Sequence, residues 1–212
     1  MSKREKTKDQ KEKKSKQPPA QPGKARLVAL DGTRGALLLE EAERVAGQVR
    51  GGREPAWSRW DASNTFYELR LGKTRNLNPT PRILLLLYAS DLLFRLRWEI
   101  EPAIKEGRSV VAAPYVETAV AFGLAADLPK DWLDELFRFA PKADLSLRLK
   151  EKKKAKKAKN KKPDALAGFL EFCCATLARN GDWRLEDLRV RMLGYLEELE
   201  QHGALRRLGK KV

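Results

Sequence analysis

The chain has little of the chemistry that metal and redox sites use. Histidine occurs once in the 212 residues, at His202, and cysteine occurs twice, at the adjacent positions Cys173 and Cys174. Because neighbouring side chains on a helix point apart, we interpret the two thiols as reduced packing residues. His202 precedes Gly203 at the end of a helical pattern and is expected to be a solvated helix terminus. The sequence therefore predicts no metal site.

Long apolar stretches are also missing. The first 20 residues are polar and rich in lysine, without the apolar segment of a secretory signal peptide. The longest apolar run, around Ile83 to Leu87, is far shorter than the roughly 18 residues that a membrane span needs. These observations predict a cytoplasmic protein that does not insert into a membrane.

Positive charge is abundant and unevenly distributed. Residues 1–26 hold ten Lys or Arg against three acids, and residues 150–162 hold nine Lys against one Glu, which together equal the net charge of +15. We call residues 1–25 the basic tail and residues 150–162 the lysine insert. Blocks of like charge cannot bury apolar area, so both segments are expected to be disordered. The basic tail then precedes a single domain over residues 26–212, and the lysine insert lies within that domain.

The lysine insert has two interpretations. It can bind a polyanion such as RNA or DNA, or it can serve only as a solubilising, nonspecific segment. The candidate polyanion contacts are Lys152, Lys153, Lys154, Lys156, Lys157 and Lys159.

Strand and helix patterns alternate along the rest of the chain. Short buried runs predict strands at 26–30, 54–60, 108–114 and 143–149, with an edge strand at 204–208. Apolar residues at helical spacing predict helices at 35–49, 81–107, 116–123, 131–139, 164–179 and 183–201. This alternation indicates an α/β fold, a three-layer sandwich with a parallel sheet flanked by helices.

One long segment resembles a known family. "ILLLLYASDLLFRLRWEIEPAIKEGRSVVAAPYVETAVAFG" (83–123) is similar to the central part of thymidylate kinases, where a helix of the type LLLYAADRAQH precedes a strand and the motif CDRYVDSSLAYQG. "ALDG" (29–32) and "PKADLSLRL" (141–149) resemble the flanking strands of that family. The resemblance covers residues 26–205 apart from the lysine insert, and it implies the fold of a P-loop nucleotide kinase.

The resemblance places a phosphate-binding loop after the first strand. The family pattern is G-x-x-x-x-G-K-[ST], whose amides cradle phosphates while the Lys and the hydroxyl contact phosphate and Mg²⁺. The equivalent positions are Asp31, Gly32, Gly35, Leu37, Leu38 and Leu39, with leucines where the family has Gly, Lys and Ser. We expect these leucines to pack on the sheet or fill the phosphate hollow. The turn is then either a simple connection or a residual anion site, and Asp31 is either a helix cap or a catalytic acid.

The acceptor site that the resemblance implies is equally altered. Its Asp-Arg pair falls on Ala113 and Pro114, its base-reading Arg on Leu92 and its last Tyr on Phe122, while Tyr115 is retained. A further family arginine corresponds to Arg53 by letters or to Arg59 by spacing from Asp31, and we favour Arg59. Trp57 and Trp60 flank Arg59 as ligand contacts or as packing residues.

Four features of the family's chemistry are thus absent: the loop Lys, the loop hydroxyl, the Asp-Arg pair and an arginine lid, whose position the lysine insert takes. The sequence predicts no catalytic residue and favours an inactive thymidylate-kinase-like scaffold that binds nucleic acid or another polyanion. One alternative is a divergent kinase that uses ATP and Mg²⁺ and draws its cations from Arg34, Arg59 or the insert. Another is a protein-interaction module or homodimer that uses Phe94 and Trp98.

Overall fold

The computed structural model describes residues 24–49, 54–71, 79–149, 167–177 and 184–208. The predictions made for residues 1–23, for Arg53 and for the lysine insert lie outside these residues.

Five parallel strands form the sheet. They are β1 (Leu27–Asp31), β2 (Ala56–Arg59), β3 (Val110–Ala113), β4 (Leu145–Arg148) and β5 (Arg206–Arg207). Their order across the sheet is β2-β3-β1-β4-β5, and every neighbouring pair is parallel. The predicted α/β fold with a parallel sheet is therefore confirmed. All strands end at the same edge, and the chain order reverses beside β1, which is where open α/β sheets form their binding crevice.

Eight α-helices are described. They are α1 (Gly35–Ala46), α2 (Thr65–Leu71), α3 (Pro81–Arg95), α4 (Glu101–Lys105), α5 (Val116–Ala125), α6 (Lys130–Leu136), α7 (Phe169–Leu177) and α8 (Leu185–Gln201). A π-helical segment, Leu96–Ile100, joins α3 to α4, so the helix predicted over 81–107 is present and ends at Lys105. Gly107 follows at a φ of +78°, as expected of a residue that closes a helix. Helix α2 was not predicted, because its seven residues are too few to show a clear period. Within the described residues, no helix is long and apolar enough to cross a bilayer.

The two faces of the sheet bury separate cores. Along β1, Leu27 and Ala29 point into a large core with α3, α5, α7 and α8, whereas Val28 and Leu30 point into a smaller core with α1. This alternation follows from the period of two in a strand, and burial on both faces explains the continuous apolar letters of β1 and β3. The result is the predicted sandwich of three layers.

Aromatic rings fill the part of the large core nearest the carboxyl edge. Phe66, on α2, contacts the rings of Trp60, Phe169 and Phe172 at centroid distances of 5.1, 5.9 and 5.0 Å. Phe169 also contacts Phe122 at 5.2 Å. Because Phe169 and Phe172 belong to α7, these contacts fix the start of that helix beside the edge of the sheet.

Fixing α7 there brings two glycines together. A Cβ on Gly168, just before α7, would lie 2.3 Å from the Cα of Gly35, and a Cβ on Gly35 would lie 2.1 Å from the carbonyl oxygen of Ala167. Side chains do not fit at such distances, so the approach of α7 to the start of α1 requires glycine at both positions.

Gly168→Ala is expected to lower the free energy of unfolding by about 1–3 kcal/mol, because backbone must move to admit the methyl group. Gly194→Ala is the matched control, since Gly194 is exposed on α8 and its Cβ would meet no atom within 4 Å. That change should leave stability unchanged or raise it by up to about 1 kcal/mol, because alanine favours helix. Urea denaturation measures both, and equal effects of the two substitutions would contradict the packing.

Candidate functional site

The connection between β1 and α1 is shorter than a phosphate-binding loop. Only Gly32, Thr33 and Arg34 separate the strand from the helix, which begins at Gly35. The prediction for the leucines is wrong for Leu37, whose side chain is 37% exposed, and correct for Leu38, which packs in the smaller core. Leu39 is half-buried at the wall of a pocket. Helix α1 starts at Gly35, two residues before Leu37, where the family pattern has its last loop glycine. The three leucines therefore follow helical periodicity and do not line a loop.

Asp31 ends β1 and is fully buried. Its Oδ1 accepts hydrogen bonds from the Tyr115 amide (2.9 Å), the Thr118 amide (2.9 Å) and the Thr118 hydroxyl (2.8 Å). Burial raises the pKa of Asp31 above its ordinary value, against the opposing effect of these hydrogen bonds. The carboxyl group at the end of β1 therefore caps the start of α5.

A segment of the chain itself lies in front of α1. Besides the backbone of Ala167 and Gly168, this segment brings Glu171, whose Oε2 lies 3.4 Å from the Gly35 amide nitrogen and accepts its hydrogen bond. The other oxygen, Oε1, lies 3.4 Å from Nη2 of Arg189. Glu171 and Arg189 are both buried, each with 7% exposure. A carboxylate and its arginine partner thus stand where the resemblance places a phosphate.

A pocket of about 180 Å³ opens beside this segment at the carboxyl ends of β2 and β3. Arg59, Trp60, Tyr67 and Pro114 contribute to its wall. Arg59 ends β2, as predicted. Its side chain is exposed, and its guanidinium lies 5.8 Å from the centre of the Trp57 ring. We call it the acceptor pocket, because Arg59 and Pro114, two of the positions that the resemblance assigns to an acceptor site, line it.

The other acceptor-site equivalents have structural contacts. Leu92 and Phe122 are fully buried in the large core, and Ala113 is buried in the smaller one. The Tyr115 hydroxyl donates to the Pro141 carbonyl at 2.7 Å, so this retained residue ties down a loop. Of the six equivalent positions, the structure brings Arg59 and Pro114 to the pocket and places the other four in packing or hydrogen-bonding roles.

Two buried charged residues near the pocket were not predicted from the sequence. Arg95, on α3, is fully buried and donates to the carbonyl oxygens of Ser58 (3.0 Å) and Pro114 (2.9 Å). Asp91, one turn earlier, accepts from the amides of Asp61 (3.1 Å) and Ser63 (2.9 Å). Together they hold the ends of β2 and β3 and the turn that follows β2. A run such as "LLFRLRWEI" carries no sequence signal that separates its buried arginine from its exposed one.

A larger cavity, of about 460 Å³, lies away from this edge between α5, α6 and α8. Burial raises the pKa of Glu117 in its wall to about 7, and the Tyr195 hydroxyl donates to that carboxyl at 3.3 Å. The cavity has no contact with the start of α1, so the smaller pocket is the candidate site.

The residues at the start of α1 do not fit a magnesium-bound polyphosphate. Leu38 and Leu39 offer neither the cation nor the metal ligand of the family loop, and a carboxylate faces the Gly35 amide. Elsewhere in the described ranges, no group of three or more His, Cys, Asp or Glu side chains is placed to hold a metal ion.

Comparison with known proteins identifies relatives over part of the chain. Probable thymidylate kinases of Pyrobaculum aerophilum and Staphylothermus marinus are 26% and 31% identical over 121 and 90 residues. These stretches are 57% and 42% of this chain and 60% and 45% of the two relatives, so the match spans less than two thirds of either relative. A probable thymidylate kinase of Caldivirga maquilingensis is 33% identical over 70 residues, or 33% of this chain and 34% of that protein. No family model matches the chain.

The fold has a solved counterpart. The crystal structure of thymidylate kinase from Ehrlichia chaffeensis superposes with a TM-score of 0.60 and covers 89% of this chain and 88% of its own. At 10% identity this likeness shows the fold alone. Over these stretches the chain is therefore similar to proteins named as probable thymidylate kinases, and it shares the fold of a solved thymidylate kinase.

Proposed function

We propose that the protein is a catalytically inactive relative of the thymidylate kinases that uses their fold as a binding scaffold. The start of α1 carries this proposal: a three-residue connection leads into a first turn in which Leu37, Leu38 and Leu39 stand where a phosphate-binding loop needs glycine, lysine and a hydroxyl. Phosphoryl transfer depends on positioning and on neutralising developing charge, and leucine supplies neither.

The acceptor pocket supports retained binding of a small anionic ligand. Arg59 stands at its wall and rests on the Trp57 ring, an arrangement in which an arginine keeps its hydrogen-bond donors free for a ligand. A pyrimidine monophosphate is the ligand class we infer, by analogy with the names of the relatives.

The wild-type protein is expected to form no ADP from ATP, Mg²⁺ and dTMP, or another nucleoside monophosphate, above a heat-inactivated control. If the acceptor pocket binds, dTMP should still raise the melting temperature, and Arg59→Ala should abolish that rise, with Arg138→Ala as an exposed control away from the pocket. Turnover that falls in Arg59→Ala would instead establish the second candidate, a divergent kinase, which the names of the relatives favour.

The lysine insert supports a polyanion-binding role for the scaffold. Nine lysines within 13 residues form a block of charge that can neutralise several phosphates at once without reading sequence. Binding of this kind depends on released counterions, so its salt dependence reports how many lysines take part.

Replacing Lys152, Lys153, Lys154, Lys156, Lys157 and Lys159 with glutamine should weaken binding to a DNA duplex. The wild-type affinity should fall by several decades over a modest rise in salt, and the variant should lose up to about five units of the log–log slope. Fluorescence anisotropy at four salt concentrations measures both. A slope that the substitutions leave unchanged, or binding insensitive to salt, would contradict polyanion binding through the insert.

An exposed apolar stripe favours the interaction-module alternative. Ile83, Leu86, Leu93, Phe94 and Trp98 follow one another along α3 and the π-helical segment, and Trp98 is 66% exposed. Several exposed apolar side chains along one helix are typical of protein interfaces.

If the stripe joins two copies, Trp98→Glu should convert the dimer to a monomer in sedimentation velocity experiments. Val190→Glu, at a position on α8 that is 67% exposed, is the matched control and should leave the mass unchanged. A wild-type protein that is monomeric at high concentration would exclude the homodimer.

A further inference from the structure

The amide groups at the start of α1 need an acceptor. The first turn of any helix leaves backbone N–H groups without partners inside the helix, and they carry partial positive charge. Arg34, the residue before the helix, makes no side-chain cap hydrogen bond to it. The Glu171 carboxylate, which arrives from α7, accepts from the Gly35 amide and so acts as a cap from a distant part of the chain.

Glu171 is held in that position by contacts on both sides. The backbone of Gly168 lies against Gly35, and a Cβ on Gly168 would come within 2.9 Å of the same Glu171 oxygen that faces the Gly35 amide. On the other side, Arg189 contacts Glu171 at 3.4 Å and Glu186 at 2.8 Å, and its Nε donates to the Thr33 carbonyl at 3.4 Å. The carboxylate therefore sits between a helix N-terminus and a buried guanidinium.

This pairing is the one that a bound phosphate makes. Helix N-termini and arginines are the groups that proteins use to bind phosphate, through amide donors and a bidentate fork. Here both groups are present, and an internal carboxylate takes the place of the anion. A ligand phosphate would need the same donors, so it could bind here only if Glu171 left and the adjoining backbone of Ala167 and Gly168 gave way.

We propose that Glu171 is a built-in anion that closes the phosphate position at the start of α1, an autoinhibitory contact that keeps phosphate-bearing ligands away from this helix. The inference goes beyond the proposed function, which concerns the acceptor pocket and the lysine insert. The closed position is an anion site whose occupant, Glu171, belongs to the chain, with the backbone of Ala167 and Gly168 packed beside it.

Replacing Glu171 tests the proposal in the full chain, with inorganic pyrophosphate as the probe. Glu171→Ala leaves Arg189 and the Gly35 amide without this carboxylate, so the melting temperature of the variant should fall in the absence of anions. Pyrophosphate should then restore it in a concentration-dependent manner, by roughly 5–10 °C at a hundred times the dissociation constant. The wild type should show no comparable rise.

Glu186→Ala is the matched control, because it removes the other carboxylate on Arg189 from an exposed position on α8. Titration calorimetry should show at least tenfold tighter pyrophosphate binding to Glu171→Ala than to the wild type or to Glu186→Ala. Any pyrophosphate that the lysines bind is common to all three proteins and cancels in the comparison. Equal affinities for Glu171→Ala and the wild type, or an equal gain in Glu186→Ala, would overturn the proposal.

Glu171→Gln keeps the size of the side chain and removes its charge, and it serves if the alanine variant does not fold. It should gain affinity in the same direction, and no gain would count against the proposal in the same way. The outcome is independent of the proposed function, which is tested by turnover and dTMP binding in the wild-type protein and not by a ratio between variants.

Discussion

The backbone of Gly168 lies against that of Gly35 because neither residue carries a side chain, and this contact ties α7 to the start of α1. The arrangement of the carboxyl edge follows from it. With the chain pressed onto the helix N-terminus, the front of α1 is filled by Ala167, Gly168 and the Glu171 carboxylate, and the remaining space is the pocket beside Pro114 and Arg59. The close approach of these two backbones thus closes the position in front of α1 and leaves the pocket beside Arg59 open.

Aromatic packing and buried polar contacts stabilise this arrangement from behind. Phe169 and Phe172 place α7 against Trp60 and Phe66, so the segment in front of α1 is anchored in the large core. Asp31, through Tyr115 and Thr118, joins the end of β1 to α5. Groups that could serve as catalytic acids or anion ligands in an open crevice are used here to hold elements together, and burial favours the neutral form of Asp31.

The sequence was sufficient for the fold and for part of the site. The parallel sheet is predicted by continuous apolar segments at β1 and β3 and by helical periods in α1 and α8, and the similarity to thymidylate kinases by the segment around α3. Each of these signals depends only on neighbouring residues along the chain. The contact of Gly35 with Gly168 joins residues 133 positions apart, and no local pattern reports it. Glu171 in "FLEFCC" likewise reads as an isolated polar residue on an apolar helix, and its role depends on Arg189, which lies on another helix.

The contact between Glu171 and the start of α1 also has a consequence for stability. In an open phosphate-binding loop, the helix amides bind water when no ligand is present. The lysine of a kinase loop then also lacks its phosphate partner. In this chain the leucines bring no charge to the turn, and the helix amide finds its acceptor within the protein. The folded state therefore depends on no nucleotide for its electrostatic balance at α1. If the protein is the inactive scaffold proposed above, substitutions that disable an enzyme are compatible with its stability, because Glu171 and Arg189 supply the pair of charges that ligand and loop would otherwise provide.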